Sequence, residues 1–265
     1  MQEPKQKCRQ AGFWLILIAI FWGMNCKTAN DQLIRATYNR DKEAARQALN
    51  NGANVTYMPG TRHDAMYEAI DLGDLEMVQL LIDSGYGINY IAEGTGDAPL
   101  HLAAQFNRVE IMQYLLEKGA DVNLKSSYNG ETPIFRVRSV DALKLLLAKK
   151  PNVNARNNSG RTPLFKVASD PDLVKMLIAN KANVNALDDE KQKPLSQIDI
   201  KRVFREHDER GAEAFFLLGG RTQSEMRDGT QVYPERGSAD HKKNLCATYY
   251  SALGIELSKV ATGQH

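Results

Sequence analysis

The sequence predicts an all-α protein, a solenoid of about five to six stacked helix–turn–helix repeats joined by hairpin-like loops. Three observations predict it. Exit motifs recur at near-constant steps: GANV at Gly52, GYGIN at Gly85, GADVN at Gly119, KPNVN at Lys150 and KANVN at Lys181, spaced by 33, 34, 31 and 31 residues. Start motifs alternate with them: APLHLAA at Ala98, TPIF at Thr132, TPLF at Thr162 and KPLS at Lys193. Apolar residues between starts and exits fall at i, i+1, i+4 and i+5, which is one face of a helix. The sets are Met77, Val78, Leu81 and Ile82; Ile111, Met112, Leu115 and Leu116; Ala142, Leu143, Leu146 and Leu147; Leu173, Val174, Leu177 and Ile178. A period of this length marks a repeat array. A helix pair this small cannot bury its apolar face alone, so each copy must supply part of its neighbour's core.

Each unit opens on a start motif. Thr132 and Thr162 are placed to cap a first helix, their hydroxyls accepting from an otherwise unpaired backbone N–H. Pro133 and Pro163 follow at the first helical position, where a missing N–H costs nothing. The first helices should run to about Ala104, Val137 and Ala168. Turns follow at Asn107–Arg108, Arg138–Ser139 and Ser169–Asp170. Gly52, Gly85 and Gly119 are suited to end their second helices in the left-handed conformation. Lys150 and Lys181 replace that glycine, so those exits are expected to be strained. Val55, Ile88, Val122, Val153 and Val184 then recur beside the core. Leu100 to Leu116 spans 16 steps and Ile134 to Leu147 only 13, so copies four and five should have clipped first helices.

The copy APLHLAAQFNRVEIMQYLLEKGADVN, Ala98 to Asn123, resembles the ankyrin repeat, and the resemblance spans about Asn30 to Leu218. It implies that His101 hydrogen-bonds backbone between repeats. It also implies that loop tips and inner first-helix faces hold partner proteins on a concave surface. The loops projecting as fingers are roughly 90–97, 124–131, 155–161 and 186–193. Tyr90 and Tyr128 are the candidate anchors, because aromatic residues carry much of the binding energy at interfaces. Lys125, Arg156 and Arg161 give those tips a mildly basic rim. The polar stretch Asn30 to Val55 suits an end cap. After Pro194 the last unit degenerates, with a first helix expected near 194–205 and a second near 208–218.

The first 25 residues read differently. Lys5, Lys7 and Arg9 precede an apolar run from Phe13 to Met24, the pattern of a signal peptide. That run is 12 residues, whereas a spanning helix needs roughly 20. Gly23, Met24 and Asn25 precede Cys26, which resembles a bacterial lipoprotein signal of the looser, spirochaete-like kind. The resemblance implies a diacylglycerol on the Cys26 thiol and a location in the bacterial cell envelope, lipid-anchored in the periplasm or at the cell surface. The alternative is an ordinary cleaved signal on a soluble secreted or periplasmic protein. Of three cysteines, Cys8 would leave with the signal, so lipidated Cys26 and Cys246 could form no internal disulfide.

The domain plan is therefore a leader over 1–25, a repeat domain over 26–218 and a tail over 219–265. Asn244 to Ala261 could form a short capping helix, with Leu245, Tyr249, Leu253 and Leu257 on one face. A toxin-neutralising or other activity in that tail is the alternative function. Net charge is +2, which does not point to nucleic acid. None of the five histidines has a metal-ligand spacing, GTGDAP near Gly94 lacks the glycine spacing of a phosphate loop, and no carboxylate pair is set for acid–base work. The expectation is a non-enzymatic protein without metal or cofactor, binding a protein partner through the finger face and a membrane through its lipid.

Overall fold

The computed structural model describes residues 29–60 and 63–197, with residues 210, 214, 215 and 217. The leader over 1–25, Cys26, the tail over 219–265 and its helix near 244–261 lie outside the described residues. Among the described residues every regular element is helical and none is a strand. They divide into two compact units, one ending at Pro163 and the other beginning at Leu164.

The first unit is a row of helix pairs. Helix α1 covers 29–38 and pairs with α2, Lys42–Asn50. Helix α3, Ala65–Leu72, pairs with α4, Leu75–Asp83. Helix α5, Pro99–Gln105, pairs with α6, Val109–Glu117. In the fourth copy a 3₁₀ turn, Pro133–Arg136, replaces the first helix and is followed by α7, Val140–Ala148. In the fifth copy α8, Pro163–Val167, has five residues, and α9, Pro171–Ala179, lies in the second unit. The last copy starts with a 3₁₀ turn, Pro194–Gln197, and the rest of its expected first helix lies outside the described residues. Ala214 and Phe215, from its expected second helix, are helical and buried.

The described second helices, α2, α4, α6, α7 and α9, are all nine residues long, and all but α6 start on a side-chain cap. Asp41, Asp74, Ser139 and Asp170 each accept a backbone N–H with their side chain at the N-cap. Such caps satisfy donors that have no partner inside the helix. The predicted apolar face is buried in every copy: Met77, Val78 and Leu81; Ile111, Met112 and Leu115; Ala142, Leu143 and Leu146; Leu173, Val174 and Leu177. The fourth position of the set, at Ile82, Leu147 and Ile178, is only half-buried, because it lies at the rim of that face. In the first unit, Met66, Ile70, Leu100 and Ile134 supply the first-helix side of the core.

The clipped first helices are present as expected, four residues in copy four and five in copy five against seven in α5. The exits also follow expectation. Gly119 has φ +91, while Lys150 and Lys181 are held at φ +53 and +68, where a Cβ is disfavoured.

One local expectation is corrected. Thr132 makes no side-chain cap, and the hydroxyls of Thr132 and Thr162 are buried without a partner. The first turn buries these threonines against the stack instead of turning their oxygens onto the helix start. In copy three the same place is Ala98, and the cap comes from His101, whose Nδ1 accepts from the Ala98 N–H at 3.2 Å. Copies four and five carry Phe135 and Phe165 at the histidine position, so the orphan hydroxyls have no ring nitrogen to meet.

Candidate functional site

Each finger is a short loop pinned at its base by backbone pairing. In the first unit, Ala92 N–H donates to Asp97 O at 3.1 Å, Ser126 to Glu131 at 2.8 Å and Asn157 to Arg161 at 3.0 Å. Side-chain carbonyls then fix each tip: Asn129 Oδ1 accepts from Glu131 N–H, and Asn157 Oδ1 from Ser159 and Arg161 N–H. In the second unit, Asp188 accepts from Glu190 and Gln192 in the same manner.

The fingers of the first unit are also tied to one another. Ser127 N–H and Ser126 Oγ donate to Gly96 O at 2.8 and 2.9 Å. Asn158 N–H donates to Asn129 O at 2.8 Å, and its Nδ2 to Tyr128 O at 3.2 Å. Nearer the stack, Asn89 and Asn123 accept from Asp121 and Asn152 N–H, both at 2.8 Å. Gly96 has φ +71, and a Cβ there would lie 2.7 Å from the Tyr128 ring, so the aromatic packs directly on backbone.

The sequence-predicted residues occupy this edge. Tyr128 is 60% exposed, with its ring across the neighbouring finger and its hydroxyl donating to Glu93 O. Tyr90 is half-buried and meets Tyr86 edge-on at 5.3 Å. Lys125 Nζ donates to Arg156 O at 3.1 Å, which draws these two basic residues together. Arg156 is exposed and Arg161 half-buried. Tyr90 stands apart, on the preceding finger. Among the described residues, no group of three or more His, Cys, Asp and Glu is placed to hold a metal ion, and no helix is long and apolar enough to cross a membrane.

A second surface lies on the first-helix side. Tyr38, 68% exposed on α1, lines a cleft of about 450 Å³ with Ile34, Arg35, Pro59, His63 and Glu68. The His63 ring stacks on Tyr67 at 3.7 Å, and Tyr67 meets Phe106 edge-on at 5.5 Å. His63 Nδ1 lies 3.3 Å from Glu68 Oε1. Burial raises the Tyr67 phenol above its ordinary pKa, and the charges of Asp71 and Glu68 raise it further.

Residues 33–126 match the family model for ankyrin repeats in three copies, and residues 159–189 match that for a single ankyrin repeat. Those two stretches carry ankyrin repeats. Comparison with curated proteins gave no match. Ankyrin repeats indicate an array that holds protein partners. The stretch between the two matches, 127–158, contains the copy whose first helix is clipped to a 3₁₀ turn.

Within the ankyrin array His101 is structural. Its Nε2 donates to Glu131 O at 3.1 Å, which joins copy three to copy four and leaves Nδ1 as the acceptor. Burial lowers its pKa, outweighing the opposing pull of Asp97. Asp97 and Glu131 are buried acids that Arg136 holds, its Nε 3.0 Å from Glu131 and its Nη2 3.4 Å from Asp97. In copy two Asp64 accepts from the Tyr86 hydroxyl at 2.7 Å, and burial raises its pKa.

Sequence reading placed the anchors on the fingers and did not single out Tyr38, His63 or Tyr67. A signal was available. Tyr67 aligns with His101 one repeat later, and a phenol cannot reproduce the two-sided imidazole tie. An aromatic out of its structural role on an inner helix is a candidate for the surface.

Proposed function

We propose that the protein is a non-enzymatic ankyrin scaffold, tethered to a bacterial membrane by a lipid on Cys26, that binds a protein partner along its finger edge and inner-helix face. The observation that carries the binding role is the tying of successive fingers to one another. Exposed loops with this many mutual hydrogen bonds are already ordered, so a partner meets them at a reduced entropic cost. Tyr128 supplies an exposed aromatic at the centre of that edge, with Lys125, Arg156 and Arg161 around it. The tether rests on the leader and on Cys26.

Two measurements test the two halves separately. Cells expressing the full chain are fed a labelled fatty acid: the wild type should incorporate it and Cys26→Ala should not, and equal labelling would end the tether. Site-specific photocrosslinking from Tyr128 in intact cells should capture a discrete partner that a crosslinker at Glu110, on α6, does not. The same product from both positions would remove the finger edge from the reading.

A further inference from the structure

We propose that the first repeat is seated on the bilayer that holds its lipid, with the loop 54–60 lying against the phospholipid headgroups. This rests on the reading of Cys26 as lipidated, and it adds which face of the array meets the membrane.

Three observations carry it. First, the tether is short. Two residues, Lys27 and Thr28, separate Cys26 from α1, whose first residue, Ala29, is already buried at 2% exposure. Consecutive Cα atoms are about 3.8 Å apart, so Ala29 lies within about 11 Å of Cys26 whatever path the chain takes. The headgroup layer on one face of a bilayer is itself about 5–8 Å deep. The array therefore starts at the membrane surface, with no spacer to hold it off.

Second, one loop is fixed beside that start. The Asn54 N–H donates to Asn30 Oδ1, on the first turn of α1, at 2.6 Å. Asn54 Oδ1 then accepts from the Thr56 N–H and hydroxyl at 3.0 and 2.9 Å, and the Tyr57 N–H donates to Asn54 O at 2.9 Å. Third, that loop has no charge. From Asn50 to Gly60 the sequence NNGANVTYMPG contains no Asp, Glu, Lys or Arg. The loops 90–97, 124–131, 155–161 and 186–193 each carry at least two. Tyr57, Met58 and Pro59 are half-buried, which leaves part of each to meet the headgroups. Tyrosine suits that layer, having an apolar ring and a polar tip. Asp31 is exposed on the first turn of α1 and opposes an anionic surface, while Lys27 on the tether carries the opposite charge.

Fluorescence quenching on the full lipidated chain tests this. The chain is reconstituted into vesicles of phosphatidylethanolamine and phosphatidylglycerol in which a fraction of the headgroups carries a nitroxide. Cys246→Ser removes the thiol of the tail, and Met58→Cys or Glu110→Cys then takes the fluorophore. Mass spectrometry of the same samples reads the lipid on Cys26. The label at Met58 should be quenched about threefold more than the label at Glu110, which lies on α6, two copies further along. Gly60→Asp should cut the quenching at Met58 by about half, because it brings a negative charge against an anionic surface. Gly60→Ser should leave it unchanged. A side chain at Gly60 meets nothing within 4 Å, so both variants should melt with the wild type. In a chain that carries the lipid, equal quenching at the two positions would overturn the seat and leave the tether standing. Quenching at Met58 that Gly60→Asp does not change would do the same. A chain without the lipid would end both.

Discussion

Copies three and four sit side by side and solve the same packing problem differently. Copy three has a seven-residue α5, a histidine that makes two buried hydrogen bonds, and a glycine exit. Copy four has a four-residue 3₁₀ turn, buried Phe135 where the histidine stood, an orphan hydroxyl on Thr132 and a lysine exit at φ +53. Yet α6 and α7 have the same length and bury the same face. The second helix therefore carries the stack, while the first helix and the exit tolerate change. Copy three is built on polar ties; copy four replaces one with apolar area and accepts strain.

Making copy three resemble copy four should have the largest effect. His101→Phe leaves the Ala98 N–H buried without its acceptor and the Glu131 carbonyl with the Ser126 N–H alone, and should cost about 2 kcal/mol in chemical denaturation. Phe135→His should not repay this, since it places a polar ring at a buried position that a phenyl ring fills; a gain in stability from that variant would break the comparison.

The same histidine sets a pH signature. Its folded pKa lies below the unfolded value of 6.5, so its stabilisation is present above that pH and lost as pH falls through the lower folded value. Melting temperature should therefore drop on acidification below about pH 6.5 in the wild type and be flatter there in His101→Phe. Asp64 acts in the opposite sense: its raised folded pKa gives stability below 3.8 that is lost as pH rises through the folded value.

Smaller effects sharpen the exits. Lys150→Gly should stabilise by about 1 kcal/mol by relieving the left-handed strain, and Gly119→Ala should cost about the same. Smallest of all, Thr132→Val should be neutral or stabilise by about 0.5 kcal/mol, because it removes a buried hydroxyl that has no partner. A loss of more than about 1 kcal/mol would mean the hydroxyl is paired after all.

What was legible in the sequence follows from what repeats. Gly52, Gly85 and Gly119, the prolines and the paired apolar residues recur at one period, so helix order, clipped copies and strained exits could all be read. Asp97, Arg136 and Glu131 could not, because their pairing depends on three-dimensional approach across two copies and no period marks it. The threonines misled for a related reason: a hydroxyl at a helix start has the chemistry of a cap, but burial geometry decides where it turns. Tyr128 was picked out as an exposed aromatic, and its exposure is observed. Its second role, a ring laid on Gly96 with the hydroxyl on Glu93, depends on the neighbouring finger and leaves no local trace.

The central claim is that neighbouring fingers hold one another in a fixed edge. Native-state hydrogen exchange of the Ser127 and Asn158 amides tests it most directly, since both donate to the adjacent finger. Exchange as slow as that of amides within α6 and α7 is predicted, whereas the rapid exchange of free surface loops would contradict it.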